Sequence, residues 1–476
     1  MPMTTHPIYI AGQATQPNTD LEVHDKFTGE SIARCAVAVT TTVDEAISGG
    51  AVATKAMRTL PIAARRDAIT ALKDAIAHRH EEFSQTLTAE VGKPIIFSRA
   101  EVDRTLDTLR LSMDACEDNT ADVPLSMQGS PSGAGYEATT KRFPIGLCSL
   151  ITPFNFPLNL LAHKIGPAIA AGCPFICKPS EKTPITTMLV AEILSTLDLP
   201  PGAWSIINAL GAARDMLTTD PRIRFLSFTG SGDVGWNLRA RCGSKRIALE
   251  LGGNASCILD EGADLDYAIE RIALGAYSQA GQSCISVQRV ICHESIFAQV
   301  RDRLANRIAT IKAGDPRDES IWIGPMIDEA AAVRVESWIN DAISNGANAI
   351  VHGSRTGSLV TPSLLTNVAP DQNLNCKEAF GPVATLSAFT DLDRVIDQIN
   401  RSEFGLQTGL FTPDTDRACR AYESLEMGGV VINDIPTTRI DSLPYGGVKA
   451  SGLGREGVRW AMESMTEPRL LLTRKG

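Results

Sequence analysis

Four short segments carry side chains whose types and surroundings could make or break bonds. In GQSCIS, Cys284 ends a helical run, follows a glycine and precedes a strand, which places it at an exposed bend. The thiolate is the reactive form, and nearby backbone N–H dipoles can lower its pKa. Taken alone, a cysteine is more often a small core hydrophobe. In LELGG, Glu250 stands at a strand end between two leucines. It reads either as an outward-facing strand residue or as a partly desolvated carboxylate suited to general-base work. In TPFNFP, Pro153 and Pro157 bracket Asn155 and fix its backbone. Its amide either caps the helix that follows or donates to a developing oxyanion. FTGSGDVG, at 228–235, spells G-x-G-x-x-G between a strand and a helix. Such a turn admits a phosphate to free N–H groups at the positive end of a helix, yet it is also the sequence of an ordinary tight turn. An acid is expected about 20 residues on in a Rossmann fingerprint. Only Glu250 lies near, so this is not an ordinary one.

The elements needed to position these groups are legible in the pattern. Residues 43–59 read as a helix, Pro61 opens a second that runs towards 89, and 101–117 continue the helical period. A polar stretch at 126–135 and an alternating 136–140 read as an extended ribbon. From 145 onward, short apolar runs alternate with helices: strands at 146–151, 175–178, 204–208 and 225–229, helices at 157–171 and 184–197. After Gly253 the alternation resumes, with strands at 255–259 and 288–292, and continues to about 436. Such alternation implies right-handed crossovers and a parallel sheet with helices on both faces. The tail at 469–474 is apolar and extended. It adds a strand to some sheet, with the 126–142 ribbon as its candidate partner in the same or another subunit.

Bulk properties narrow the class. A chain of 476 residues exceeds one hydrophobic core, so two or three domains are expected. The net charge of −10 speaks against general nucleic-acid binding. Neither a long apolar run nor a basic-then-apolar start at 1–6 is present, so neither a membrane span nor a signal peptide is expected. An odd number of scattered cysteines, eleven in all, suits reduced thiols in the cytoplasm. Cys173 and Cys177 flank apolar residues with no second ligand cluster nearby, so no metal site is expected.

Together these motifs resemble the aldehyde dehydrogenase superfamily. The likeness extends through KPSE at 178–181, EAFGPV at 378–383 and PYGGVKASGLGREG at 444–457, and so covers nearly the whole chain. The resemblance implies an α/β architecture. A Rossmann-variant cofactor domain would span 1–123 and 143–250, and an α/β catalytic domain 251–443. A small β oligomerisation ribbon would comprise 124–142 and 464–476, and 444–463 would connect. Homodimers or homotetramers are implied. By resemblance, Cys284 attacks the aldehyde, Asn155 and the Cys284 N–H hold the oxyanion, and Glu250 activates water to hydrolyse a thioester. Lys178 and Glu181 take the adenosine ribose, Ser231 the pyrophosphate, and Glu378 with Phe380 the nicotinamide end. Thr152, Phe154, Phe228, Gly230 and Gly252 line the same cleft. Phe154 stands where the family often has tryptophan, and Ser283 where some relatives carry an arginine for anionic substrates.

Glu181 would repel a 2′-phosphate, so NAD is the expected cofactor, with NADP the alternative. The C-terminal motif resembles relatives acting on lactaldehyde, glyceraldehyde 3-phosphate, phosphonoacetaldehyde and succinate semialdehyde. Arg104 and Arg439 resemble arginines aimed at a substrate's negative end. Their other reading is a solvated helix charge and a structural loop partner. The expected substrate is a short aldehyde bearing a hydroxyl or an anionic group. Three rivals stand: a CoA-acylating dehydrogenase, a non-catalytic binding protein on the same fold, and a Cys/His hydrolase. The first commonly lacks the glutamate, the second would not keep Cys284, Asn155 and Glu250, and no motif places a histidine near Cys284 for the third.

Overall fold

Alternating apolar strands and buried helices build two mainly parallel sheets in the computed structural model, which describes residues 4–118, 122–127 and 130–475. Residues 1–3, part of the start read for a leader, and 128–129, part of the ribbon, lie outside the described residues. Five parallel strands form the centre of the first sheet, in the order Arg246–Glu250, Phe225–Thr229, Cys148–Ile151, Phe175–Lys178 and Trp204–Ile206. The chain enters at Cys148–Ile151, winds outward to one side, then returns to the other. This creates a switch point beside the first strand, where crevices open at the carboxyl ends of strands. Register brings those ends together: Ile151 pairs with Lys178 and Phe228, and Thr229 with Glu250.

The second sheet has seven strands, from Asn348–Val351 at one edge to Gly429–Ile432 at the other, with Val287–His293 at its centre. Only the Asn348–Val351 edge runs antiparallel. A third, antiparallel sheet joins Val123–Leu125, Tyr136–Pro144 and Thr466–Arg474. The tail strand pairs with the ribbon of its own chain, from Thr466 opposite Pro144 to Arg474 opposite Tyr136.

The structure corrects the early region. Five strands precede residue 36, among them Ile8–Ile10 and Gln13–Thr15, which extend the first sheet antiparallel. Each of those two has only three residues, too few for alternation to register. The helix expected from 61 to 89 is two, Ile62–His78 and His80–Val91, with Arg79 between them outside helical geometry. The break turns Phe83 and Leu87 into the core that holds Ile69 and Leu72. Gly452–Leu453 pairs antiparallel with Arg246–Glu250 and closes that edge of the first sheet. Among the described residues, no helix is long and apolar enough to cross a membrane.

Candidate active site

The switch point opens into a cleft of about 1050 Å³ that is lined on its other side by the loops around Cys284 and Glu378. Every residue singled out from the sequence lines it: Cys284, Glu250 and Asn155; Thr152, Phe154, Lys178, Glu181, Phe228, Gly230, Ser231, Gly252, Glu378 and Phe380; Arg104 and Arg439.

Cys284 sits on the turn between Ser278–Gly281 and Val287–His293. The approach is strained: Gln279 and Ala280 have φ of 53° and 54°, followed by Gly281 at 66°. Left-handed backbone at two non-glycine residues costs free energy and persists only where the surroundings impose it. A Cβ at Gly281 would lie 2.2 Å from the Gly381 carbonyl oxygen, so only glycine fits there. Gln279 donates to the Asn155 carbonyl at 2.6 Å, and the Asn155 amide donates to the Gln282 carbonyl at 3.0 Å. These two bonds lock the Asn155 loop to the Cys284 turn. A primary amide has two hydrogens, so one remains for an oxyanion. The Cys284 sulfur lies 3.0 Å from the Tyr445 hydroxyl. Burial pushes its pKa up to about 11 against the Tyr445 hydrogen bond, so the resting group is a thiol.

Glu250 ends its strand fully inside the protein, and neither carboxylate oxygen has a hydrogen-bond partner. Burial, with the neighbouring Glu456 carboxylate, raises its pKa well above the usual range. An unpartnered buried carboxyl held at raised pKa is the profile of a base awaiting a substrate or water.

The other end of the cleft holds the residues expected to meet the cofactor. Ser231 precedes the helix Gly232–Arg241 without its hydroxyl capping the first turn, so N–H groups there stay available to a phosphate. The buried Thr152 hydroxyl is unpartnered. A Cβ at Gly252 would lie 2.3 Å from Glu378 Oε2, so a side chain there would displace the Glu378 carboxyl. Glu378 accepts from the Gly253 N–H at 3.0 Å, and burial raises its pKa to about 7. Phe154 and Phe380 meet edge to face with centroids 5.8 Å apart. Lys178, buried at its strand end, bonds Glu181 at 3.1 Å and the Pro179 carbonyl at 2.9 Å. Burial works to raise the Glu181 pKa, but Lys178, a backbone hydrogen bond and Arg214 together outweigh it and the net shift is downward.

Arg104 and Arg439 line the cleft and are also paired. Arg104 binds Asp441 through two bonds of 2.9 and 2.7 Å, and Arg439 reaches Asp441 at 3.2 Å and Glu456 at 3.1 Å. His163 lies 2.9 Å from Asp441, and Lys164 2.8 Å from Glu456. Burial would raise the Glu456 pKa, but Lys164 and Arg439 hold it down at about 2. The sequence reading missed this cluster and Tyr445. Tyr445 and Glu456 lie inside the 444–457 motif, where no role was assigned to them. Adjacent His163 and Lys164 within an otherwise apolar helix, Asn159–Ala171, were a usable signal.

The chain belongs to the aldehyde dehydrogenase family, whose model matches residues 13–471. It is 37% identical over 467 residues to 3-sulfolactaldehyde dehydrogenase of Priestia aryabhattai, covering 98% of this chain and 97% of that protein. The structure of aldehyde dehydrogenase 21 from Physcomitrella patens, in complex with the reaction product succinate, is similar with TM-score 0.98 and 38% identity, covering 100% of this chain and 99% of the other. That of glyceraldehyde-3-phosphate dehydrogenase GapN from Methanocaldococcus jannaschii, complexed with NADP, gives TM-score 0.92 and 34% identity, covering 96% and 100%.

Proposed function

We propose that this aldehyde dehydrogenase oxidises, with NAD(P), a small aldehyde bearing a hydroxyl or anionic group to its carboxylate, through a thioester on Cys284. The observation that carries the reading is the meeting of a thiol, an anchored amide and an unpartnered carboxyl in one cleft. The thiol proton leaves to solvent as the sulfur lone pair forms a bond to the carbonyl carbon, and the carbonyl π pair moves onto oxygen. Asn155, with one hydrogen held by Gln282, gives the other to that oxygen together with the Cys284 N–H. The oxyanion pair then re-forms the C=O bond as the hydrogen leaves the former aldehyde carbon with its bonding pair, leaving a thioester; NAD(P), when bound, would supply the acceptor for that hydride. Glu250 then takes a proton from water attacking the thioester, and the sulfur departs with its electron pair. A covalent intermediate divides one hard step into two easier ones.

Ser231, Lys178 and Glu181 would hold the cofactor's pyrophosphate and ribose, and Glu378 with Phe380 its nicotinamide end, with Thr152, Phe154, Phe228, Gly230 and Gly252 around it. Glu181 disfavours a 2′-phosphate, so NAD is the preferred form. NADP is the alternative, because Lys182, Arg214 and Arg241 line the same cleft. Arg104 and Arg439 favour an anionic substrate end, in keeping with the sulfonate, carboxylate and phosphate compounds named for the three similar proteins.

We assign 1–123 and 143–250 to cofactor binding, 251–443 to catalysis, and 124–142 with 464–476 to self-association, with 444–463 connecting them. A homodimer or homotetramer is supported by Leu470, Leu471 and Leu472, which are half or more exposed on the ribbon sheet. A cytoplasmic setting suits eleven cysteines that are all unpaired.

The test is reduced-cofactor absorbance over an aldehyde panel, with NAD and with NADP, with and without CoA. Lactaldehyde-like and anionic aldehydes should give the highest kcat/KM with NAD and a free acid as product. Strict dependence on CoA, or no turnover of any aldehyde, would remove the proposal.

A further inference from the structure

Among the described residues, the Tyr445 hydroxyl is the hydrogen-bond partner of the Cys284 sulfur, at 3.0 Å. The ring is held from two directions. The Arg439 guanidinium lies 3.9 Å from its centroid, and Arg439 is itself tied to Asp441 and Glu456. Behind it, the Tyr445 N–H donates to the Glu456 carbonyl at 2.9 Å, and the Glu456 N–H returns a bond at 2.6 Å. The hydroxyl therefore has little freedom to leave the sulfur.

We propose that Tyr445 positions and activates the nucleophile, its O–H donating to the Cys284 thiolate so that one sulfur rotamer and the ionised form are both favoured. This rests on the reading of Cys284 as nucleophile. The surroundings make such help necessary. Burial, Glu378 and Glu250 all oppose ionisation of Cys284, whereas the Tyr445 hydrogen bond and Arg439 favour it. No histidine borders the cleft to form an ion pair with the thiolate. Burial raises the phenol's own pKa, so Tyr445 keeps its proton and remains a donor throughout. When the sulfur attacks, its lone pair enters the new C–S bond and the hydroxyl is released from it. Tyr445 neither gains nor loses a proton.

The test is alkylation of Cys284 by iodoacetamide in the full-length protein without cofactor, followed peptide by peptide by mass spectrometry from about pH 6 to 10. A hydrogen bond to a charged group is worth about 1.5–3 kcal/mol, one to two pKa units. Tyr445→Phe keeps the ring under Arg439. It should displace the rising limb of the rate–pH profile towards higher pH by about one unit, which slows the rate near neutral pH roughly tenfold, and slow acylation by a similar factor, with KM unchanged. Replacing Tyr445 with 3-fluorotyrosine, a stronger donor, should displace that limb towards lower pH. Profiles that superimpose on the unmodified protein for both changes would overturn the inference. Retained dehydrogenase activity in Cys284→Ala would instead overturn the reading beneath it.

Discussion

Two clusters in the same cleft treat charge in opposite ways. Around Asp441 and Glu456, acids and bases are matched: Asp441 meets Arg104, His163 and Arg439, while Glu456 meets Lys164 and Arg439. A short distance away, Glu250 has no partner and Cys284 has a single neutral one. Matched charges in a dry interior fix geometry, because any departure leaves a buried ion uncompensated. Unmatched groups keep their free energy for whatever enters. On the proposed mechanism the matched cluster is the frame, and the unmatched one the reacting centre.

The contrast is broken most severely by removing the sulfur. Cys284→Ala should lower kcat by on the order of 10⁴-fold or more, with cofactor binding by fluorescence titration unaltered. Retention of more than a hundredth of the activity would show that the nucleophile lies elsewhere.

Glu250→Gln should cost roughly 10²- to 10⁴-fold in turnover while leaving the first acylation intact, so an acyl adduct on Cys284 accumulates in quenched samples. It should also separate the two clusters by their response to pH. The Glu250 pKa is raised by folding, so its folded form holds a proton more tightly than the unfolded chain. Stability from that group is greatest below 4.5 and erodes as pH rises through the raised value. Glu456 is the reverse. Its pKa falls from 4.5 to about 2, so its contribution is complete above 4.5 and lost as pH falls towards 2. Glu250→Gln should therefore unfold at a higher temperature than the parent protein at about pH 8 and not at about pH 4. Equal shifts at both values would contradict the assignment.

The frame is tested by Lys164→Met, which leaves Glu456 with Arg439 as its remaining ionic partner. Breaking a buried pair in this way typically costs about 3–5 kcal/mol, to be measured by urea unfolding. A change below about 1 kcal/mol would mean that the cluster is hydrated and not dry. The smallest effect is expected at the half-exposed Arg104. Arg104→Gln should raise KM for a carboxylate- or phosphate-bearing aldehyde by about tenfold and leave propanal unchanged, the loss of one charge-assisted contact. An equal effect on both substrates would confine Arg104 to holding Asp441.

How far the sequence discloses this arrangement depends on the range of the contacts. Cys284, Asn155, Glu250 and the glycine turn each sit in a local pattern that announces special backbone, and all of them face one cleft. The parallel strands from Cys148–Ile151 onward are equally plain, because their short apolar runs alternate with helices of nine residues or more. Tyr445 was not, since its significance is a contact made across 161 positions. Asp441 reads as a loop acid until Arg104, more than three hundred residues earlier, is seen to meet it. Three-residue edge strands and the turn at Arg79 also escaped, because neither changes the hydrophobic period over a long enough window.

The strand Gly452–Leu453 carries one more consequence, for the order in which a ribosome delivers this protein. Arg246–Glu250 is synthesised long before the segment that pairs with it, and until then its outer edge is bare. Tyr445 and Glu456 emerge with that same segment. A nascent chain thus has this edge of its first sheet open and the Cys284 thiol without its hydroxyl partner until that segment has emerged. The Tyr445–Cys284 contact is timed to that late segment, and the open edge is where an arrested chain would first associate with its neighbours.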